Sequence, residues 1–426
     1  MELRPGYKQT EVGVIPEEWD VVEIEELITE FRGGAPLKPS DFTATGVKVL
    51  PKGGVGRTGF LQIAERDLQY CSHDYATAHH NNRVGQSFTI VVLRDLVPSG
   101  PSIGLMVRIP DTDTYLLAQG VYGFEVNPSV DPRFMVQLSN THWYRRVMNS
   151  IMVGSTQVHV TNTAFKRTKI PLPQSNEQRV IADALNDIDA LLNGLERLIA
   201  KKHDLKQAAM QQLLTGQTRL PGFTGEWDSK RLGEVVDTDP ENLGSDTPQN
   251  STFSYISLED VDRGRLRNSS QQIFATAPSR ARRKLRSDDI LISTVRPNLQ
   301  SHLLFKEQVG EWICSTGFCV VRSREGITYP GYVFMHFFAS FLNRQIDALL
   351  TGSNYPAINS ADVRALEIPL PGYKEQIAIA NALTDMDKEL TILEQRLAKT
   401  RDLKQAMMQE LLTGKTRLVT SEAIHA

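Results

Sequence analysis

The run Ser293-Thr294-Val295-Arg296-Pro297-Asn298-Leu299-Gln300 places one guanidinium and two carboxamides on a short stretch between two apolar segments, DILISTV and HLLFKE. An Arg fork matches the O6/N7 edge of guanine and a carboxamide matches the N6/N7 edge of adenine, so these types at this spacing suit base reading in a DNA groove. Arg296 is the leading base contact, with Asn298 and Gln300 beside it. The surroundings are basic: from Arg263 to Lys306 there are ten Lys or Arg against Asp288 and Asp289, ten minus two or +8, in a chain of net charge -3. Within it VDRGRLRNSSQQ supplies Arg263 and Arg265, and SRARRKLRS supplies Arg282, Arg283 and Lys284, which suit phosphate contact. The first half of the chain offers Lys52 and Arg57 in PKGGVGRTG, Arg83 after the His79 to Asn82 cluster, and Arg94 in LRDLVPSGPS. The plainer alternative is a solvated basic face.

Catalytic signatures are missing. There is no Asn/Asp-Pro-Pro-aromatic tetrapeptide and no strand-linked Gly-x-Gly loop; PKGGVGRTG lacks the Lys-Ser/Thr of a nucleotide-binding loop. Asp111 and Asp113 follow Pro110 without the Glu-x-Lys of a nuclease-like metal site, and adjacent His79 and His80 point apart on a strand, so no metal is expected. Three cysteines, Cys71, Cys314 and Cys319, are too few for a disulfide framework and read as buried thiols. At 40% hydrophobic and 23% charged the composition is that of a globular protein with material for two or three domains. No apolar leader follows the first residues and no stretch is long enough to span a bilayer, so a cytoplasmic protein is expected. A reader of DNA, a coiled-coil scaffold or adaptor, and an enzyme with an unrecognised site all remain open on residue types alone.

The elements that must position these residues are announced by a repeat. Ile170 to Leu220 returns as Ile368 to Leu418, offset by 198 without a gap, with 31 of 51 positions identical. Fainter echoes align Arg133 to Met152 with Pro330 to Leu350, Gly154-Ser155 with Gly352-Ser353, and Glu18-Trp19-Asp20 with Glu226-Trp227-Asp228. Each copy predicts one long helix. Ser175 and Gln178 have the spacing of a capping box, and Ile181, Leu185, Ile188, Leu192, Leu195 and Ile199 alternate steps of four and three as a coiled-coil seam. The second copy gives Ile379, Leu383, Met386, Leu390, Leu393 and Leu397, and Gly216 and Gly414 stand where the helices stop. The heptad is predicted to slip near Lys202 and Lys399 and to resume at Leu205, Ala209 and Leu213. Some forty residues at ~1.5 Å each make a rod of about 60 Å. The most available partner for each seam is the other copy, and since a whole body lies between the copies the pairing is free to be antiparallel. Polar positions repeat too: Lys206, Gln207, Gln211 and Arg219 return as Lys404, Gln405, Gln409 and Arg417, which suggests that another protein reads the same face twice.

The intervening bodies share a plan but little identity. FSYISLEDV, DILISTV, HLLFKE and ICSTGFCVVR predict strands before a helix in YVFMHFFASFLNRQIDALL; VKVLPKG, FTIVVLR, IGLMVRI and YGFEV do so before FMVQLSNTHWYRRVMNSIM. Strands followed by a helix, without regular alternation, predict α+β bodies.

Two variable bodies, each followed by a duplicated Ile-Pro-Leu-Pro, Glu-Gln and coiled-coil helix ending in Leu-Leu-Thr-Gly-x-Thr-Arg-Leu, resemble the DNA specificity (S) subunit of a type I restriction-modification system over essentially the full length. The resemblance implies an N-terminal segment 1–19 set against the helical region, recognition domains at 20–172 and 221–371, spacer helices at 173–220 and 372–418, and a tail at 419–426. Each recognition domain would read half of a bipartite target in double-stranded DNA, with the antiparallel helices fixing the gap. It also implies two methylation (M) subunits that use S-adenosylmethionine on adenine N6, docked on the repeated helix faces, and restriction (R) subunits that use ATP and Mg. Catalysis would lie in those partners. The family assigns no base-reading motif, so the DNA-binding residues above rest on charge and loop placement.

Overall fold

A computed structural model describes residues 4–307, 309–350 and 356–419. The fold class is α+β, as expected. The chain forms two compact units, one of residues 1–196 with 395–426 and one of residues 197–394.

The first unit is built on an antiparallel sheet whose strands lie in the order Ile28–Gly33, Val121–Val126, Thr89–Val92, Met106–Arg108. A five-stranded sheet accompanies it, in which Tyr115–Leu117 runs parallel to Val47–Leu50 and antiparallel to Arg83–Val84. The second unit repeats the plan with Val236–Thr238, Phe318–Ser323, Ile290–Ser293 and Leu303–Leu304. Its companion sheet again has one parallel pair, Thr252–Ile256 with Trp312–Ser315, edged by antiparallel Ala281–Leu285. The central strands Thr89–Val92 and Ile290–Ser293 are fully buried, which is why they read as unbroken apolar runs. Each predicted helix after the strands is two helices, Pro132–Ser139 with His142–Ser150 and Pro330–His336 with Ser340–Leu349. The first break falls where the Thr141 side chain caps the Tyr144 amide. Buried Cys71, Cys314 and Cys319 are free thiols, and burial pushes Cys319 up to about 12.

The long helices span Ser175–Leu214 and Tyr373–Leu411. In the first unit Ile181, Ala182 and Leu185 of the first helix share a core with Met408, Leu411 and Leu412 of the second. In the second unit Met210, Leu213 and Leu214 share one with Ile379, Ala380 and Leu383. Both pairings are antiparallel. The heptad does not slip: from Ile199 the same three-four spacing continues through Lys202, Lys206, Ala209 and Leu213, while Leu205 is exposed. Lysine occupies a seam position because the facing helix supplies a carboxylate. Lys206 pairs with Asp387 and Lys202 with Glu389, and the equivalent Lys404 pairs with Asp189 at 2.6 Å. The Gln178 capping box is also corrected. Gln178 Nε2 donates to the Pro173 and Ser129 carbonyls, and its Oε1 accepts from the Asp131 amide; Gln376 does the same with Pro371, Ile327 and Tyr329. Gly352-Ser353 of the fainter repeat lie outside the described residues.

Both helix starts are clasped. The Glu177 carboxylate, 2% exposed, accepts the Trp19 indole N–H at 2.9 Å and the Arg417 guanidinium at 2.9 Å. Glu375 likewise accepts from Trp227 at 3.3 Å and from Arg219 at 2.6 Å. Each Arg follows the end of the opposite helix. Gly216 and Gly414, at φ +70° and +69°, turn the chain there, and a Cβ on Gly414 would meet Pro16 at 2.4 Å. Replacing Glu177 by Ala leaves the buried Trp19 indole N–H unpaired and the half-buried Arg417 with Glu18 as its remaining carboxylate, and is expected to lower stability by about 2 kcal/mol in urea denaturation.

Two buried histidines sit in the second unit. His302 Nδ1 accepts the Ser293 amide, while neither nitrogen of His336, set against Tyr332 and Phe341, has a partner among the described residues. Burial pushes both down to about 3. A folded value below the unfolded 6.5 means that the unfolded chain binds more protons, so this stability is whole above pH 6.5 and falls as pH drops towards 3. At pH 5 the loss is roughly 2 kcal/mol per histidine. A His336→Phe variant should melt with a visibly flatter pH dependence between 7 and 5.

Candidate nucleic-acid interface

The loop after strand Ile290–Ser293 is held in one conformation. Arg296 (φ 48°) and Gln300 (φ 56°) both adopt the left-handed region, uncommon for residues with a Cβ, on either side of a short turn over Pro297–Leu299. Backbone bonds tie it down: Leu299 N–H to the Arg296 carbonyl at 2.9 Å, Gln300 to Pro297 at 2.9 Å and Arg296 to Pro356 at 2.8 Å. Strain of this kind persists where surrounding structure over-determines it and is concentrated at functional sites. The Gly264 amide donates to the His302 carbonyl at 2.8 Å, so the tight turn carrying Arg263 and Arg265 meets this loop. Arg263 is itself left-handed (φ 38°). The structure thus brings Arg263, Arg265, Arg296, Asn298 and Gln300 to one region, with all but half-buried Gln300 exposed.

The other basic residues are dispersed. Arg282, Arg283 and Lys284 lie on an edge strand with alternating directions. Arg283 is half-buried and holds Asp239 at 2.9 Å and Asn242 at 3.2 Å, so the reach to a phosphate expected of it competes with partners in its own unit. Arg282 covers the Phe274 ring and Lys284 faces Glu311 at 3.6 Å. Asp239 and Glu241 lie outside the +8 segment yet fold against it, Glu241 taking Arg286 and Arg322. In the first unit Arg57 and Arg94 are exposed. Lys52 is engaged by buried Asp95 at 2.8 Å, and Arg83 is half-buried with its Nε enclosed and without a hydrogen-bond partner among the described residues. The Lys52 ammonium and hydrogen bonds from Ser102 and Val97 hold the Asp95 carboxyl well below the usual range.

On the helices, Lys206, Arg219, Lys404 and Arg417 are engaged in the intrachain ion pairs above, which gives their repetition a cause within the chain. Gln207, Gln211, Gln405 and Gln409 are exposed. The clasp residues Glu177, Glu375, Gln178 and Gln376 were missed as functional elements, although the Glu-Gln pair stands in both repeats. Among the described residues no group of three or more His, Cys, Asp or Glu could hold a metal, and no helix is long and apolar enough to cross a membrane.

The family model for the type I restriction modification DNA specificity domain matches twice, over residues 16–202 and 224–400. The chain belongs to this family. The two matched domains correspond to the two bodies with their clasped helices, and the function they carry is DNA specificity within a type I restriction-modification system. The chain is similar to the putative type I restriction enzyme MjaX specificity subunit of Methanocaldococcus jannaschii, at 24% identity over 97% of each chain. It is also similar to that organism's MjaVIII specificity subunit, at 22% identity over 95% of this chain and 94% of the relative. Among solved structures, the type I restriction-modification S subunit from M. genitalium shares the fold, with a TM-score of 0.56 at 15% identity over 96% of this chain and 98% of that one. A chain from a structure of the assembly of a type I system gives a TM-score of 0.55 at 18% identity, over 94% and 99%.

For this specificity protein, truncating Arg296 to Ala is expected to cost ~1–3 kcal/mol of discrimination at one base position. Changing Arg263 to Gln should weaken binding to all duplexes and reduce the salt slope by about one. Fluorescence anisotropy titrations across a salt series, on duplexes varied one base pair at a time, check both.

Proposed function

We propose that the two bodies read the two halves of a split DNA target, and that this chain contributes recognition while partners contribute the chemistry. One observation carries this reading: the two units share strand order and an identical helix clasp, yet differ in the loops that leave their central strands. A constant frame with divergent loops suits two different half-sites held at a fixed gap. Arg57 and Arg94 serve the first half-site. Arg263, Arg265, Arg296, Asn298 and Gln300 serve the second, with Arg282 and Lys284 on phosphates. Lys52, Arg83 and Arg283 act from behind, holding the loops and strands that present these contacts.

The partners are two methylation subunits, which carry S-adenosylmethionine and modify adenine N6, and restriction subunits, which use ATP and Mg. Exposed Gln207, Gln211, Gln405 and Gln409 form the repeated faces on which the methylation subunits dock, and the complex works on cytoplasmic DNA. The chain itself is non-catalytic in this reading.

The test is co-expression with the cognate methylation subunit, followed by mapping of N6-methyladenine in genomic DNA. The expected result is a split motif of fixed gap, one half of which changes when residues 20–170 are exchanged for those of a relative. A well-formed complex that leaves DNA unmethylated, or methylates without sequence preference, would favour a scaffold instead.

A further inference from the structure

Two loops occupy equivalent positions in the two units, one joining Thr89–Val92 to Met106–Arg108 and the other Ile290–Ser293 to Leu303–Leu304, neighbouring strands at the same edge of each antiparallel sheet. They have little sequence in common, yet both expose aliphatic side chains beside a cation. In the second unit Leu299 is 55% exposed between Asn298 and Gln300, three residues from Arg296. In the first unit Leu96 is 63% and Val97 49% exposed, following Arg94 and Asp95. A single exposed leucine on a protein surface needs no explanation. Recurrence at matching places in two divergent bodies does.

Neither loop is free to fold its apolar tip away. The second is fixed by its two left-handed residues and its backbone bonds. The first is stapled twice. Buried Asp95 accepts the Val97 amide at 3.2 Å and the Ser102 amide at 3.1 Å, and the buried Arg145 guanidinium donates to the carbonyls of Gly100, Pro101 and Ile103. Rigid support of this kind keeps an aliphatic group in water in the free protein and delivers it at a set point to whatever the loop meets.

The neighbours say what that is. On the DNA-reading function proposed above, on which this inference rests, Arg, Asn and Gln side chains address guanine and adenine edges in the major groove. Every adenine edge read there has a thymine paired with it, whose C5-methyl lies in the same groove. We infer that Leu299, and in the first unit the Leu96-Val97 pair, are specificity contacts that recognise a thymine methyl group. Leu299 sits between two carboxamides, so one A·T pair can be read from both strands, by hydrogen bonds on adenine and by apolar contact on its partner.

The experiment uses the full chain in complex with its methylation subunit and duplexes carrying the target mapped by methylation, with each thymine replaced in turn by deoxyuridine. At one thymine of the half-site assigned to the second unit, removal of the methyl should weaken wild-type binding about fourfold, the worth of one buried methyl group. The Leu299→Ala complex should bind the thymine duplex about fourfold more weakly and be indifferent to the deoxyuridine at that position. Leu299→Met should restore the difference. A variant that keeps the wild-type response at every thymine, a wild-type complex that responds at none, or a half-site without thymine overturns the inference while leaving sequence-specific recognition standing. A wild-type complex that binds target and scrambled duplexes alike sinks the recognition function itself.

Discussion

A carboxylate taken out of water must be paired, and Glu177 and Glu375 meet that demand in a way that orders everything around them. Each accepts an indole N–H from the tryptophan that opens its body and a guanidinium from just beyond the end of the opposite helix. A bidentate Arg fixes distance and orientation together, so it sets which residue of one helix stands beside which residue of the other. The next residue, Gln178 or Gln376, extends the same fixed point into the body by bonding the chain just before its first post-strand helix. A Glu-Gln dipeptide therefore joins one helix start, one helix end and one recognition body. The lysine-carboxylate pairs along the seams repeat that register at a second level, Asp189 with Lys404 and Asp387 with Lys206.

This arrangement separates what must stay constant from what can vary. The clasp and the seam use residues within the duplicated segments and the tryptophans that stand just before the short strands Asp20–Glu23 and Asp228–Arg231, and the cores beneath are largely buried aliphatics. The loops that leave the central strands take no part in either. They can change residue by residue without disturbing the frame, as a protein whose business is DNA specificity requires. Their own rigidity comes from devices that differ between the units: buried Asp95 and Arg145 with Lys52 in the first, and left-handed backbone with hydrogen bonds within the turn and to Pro356 in the second.

Much of this was legible from residue order. The gapless offset, the heptads and the strand runs are local patterns, and local patterns survive in sequence because period and burial are coupled. The slip expected at Lys202 and Lys399 was wrong for a specific reason. In the first helix a seam position occupied by lysine looks like a break until the carboxylate of Asp387 or Glu389, well over a hundred residues away, is known to face it, and in the second the seam passes through buried Thr400 beside the exposed Lys399. The same blindness made the basic stretch look freer than it is, because Asp239 and Glu241 reach it only through the fold.

The sequence by itself therefore determined the two-body, two-helix organisation, the α+β class and the family, all of which follow from repetition and periodicity. Only the tertiary structure decided which charges are available. Arg283, Lys52, Arg219 and Arg417 are held by acidic groups within their own unit, which residue order did not show, and the loop that carries Arg296, Asn298 and Leu299 is clamped by its own turn. Charge availability depends on partners brought together across the chain, and backbone handedness at Arg296 and Gln300 depends on the hydrogen bonds that impose it; neither has a local signature that residue order can carry.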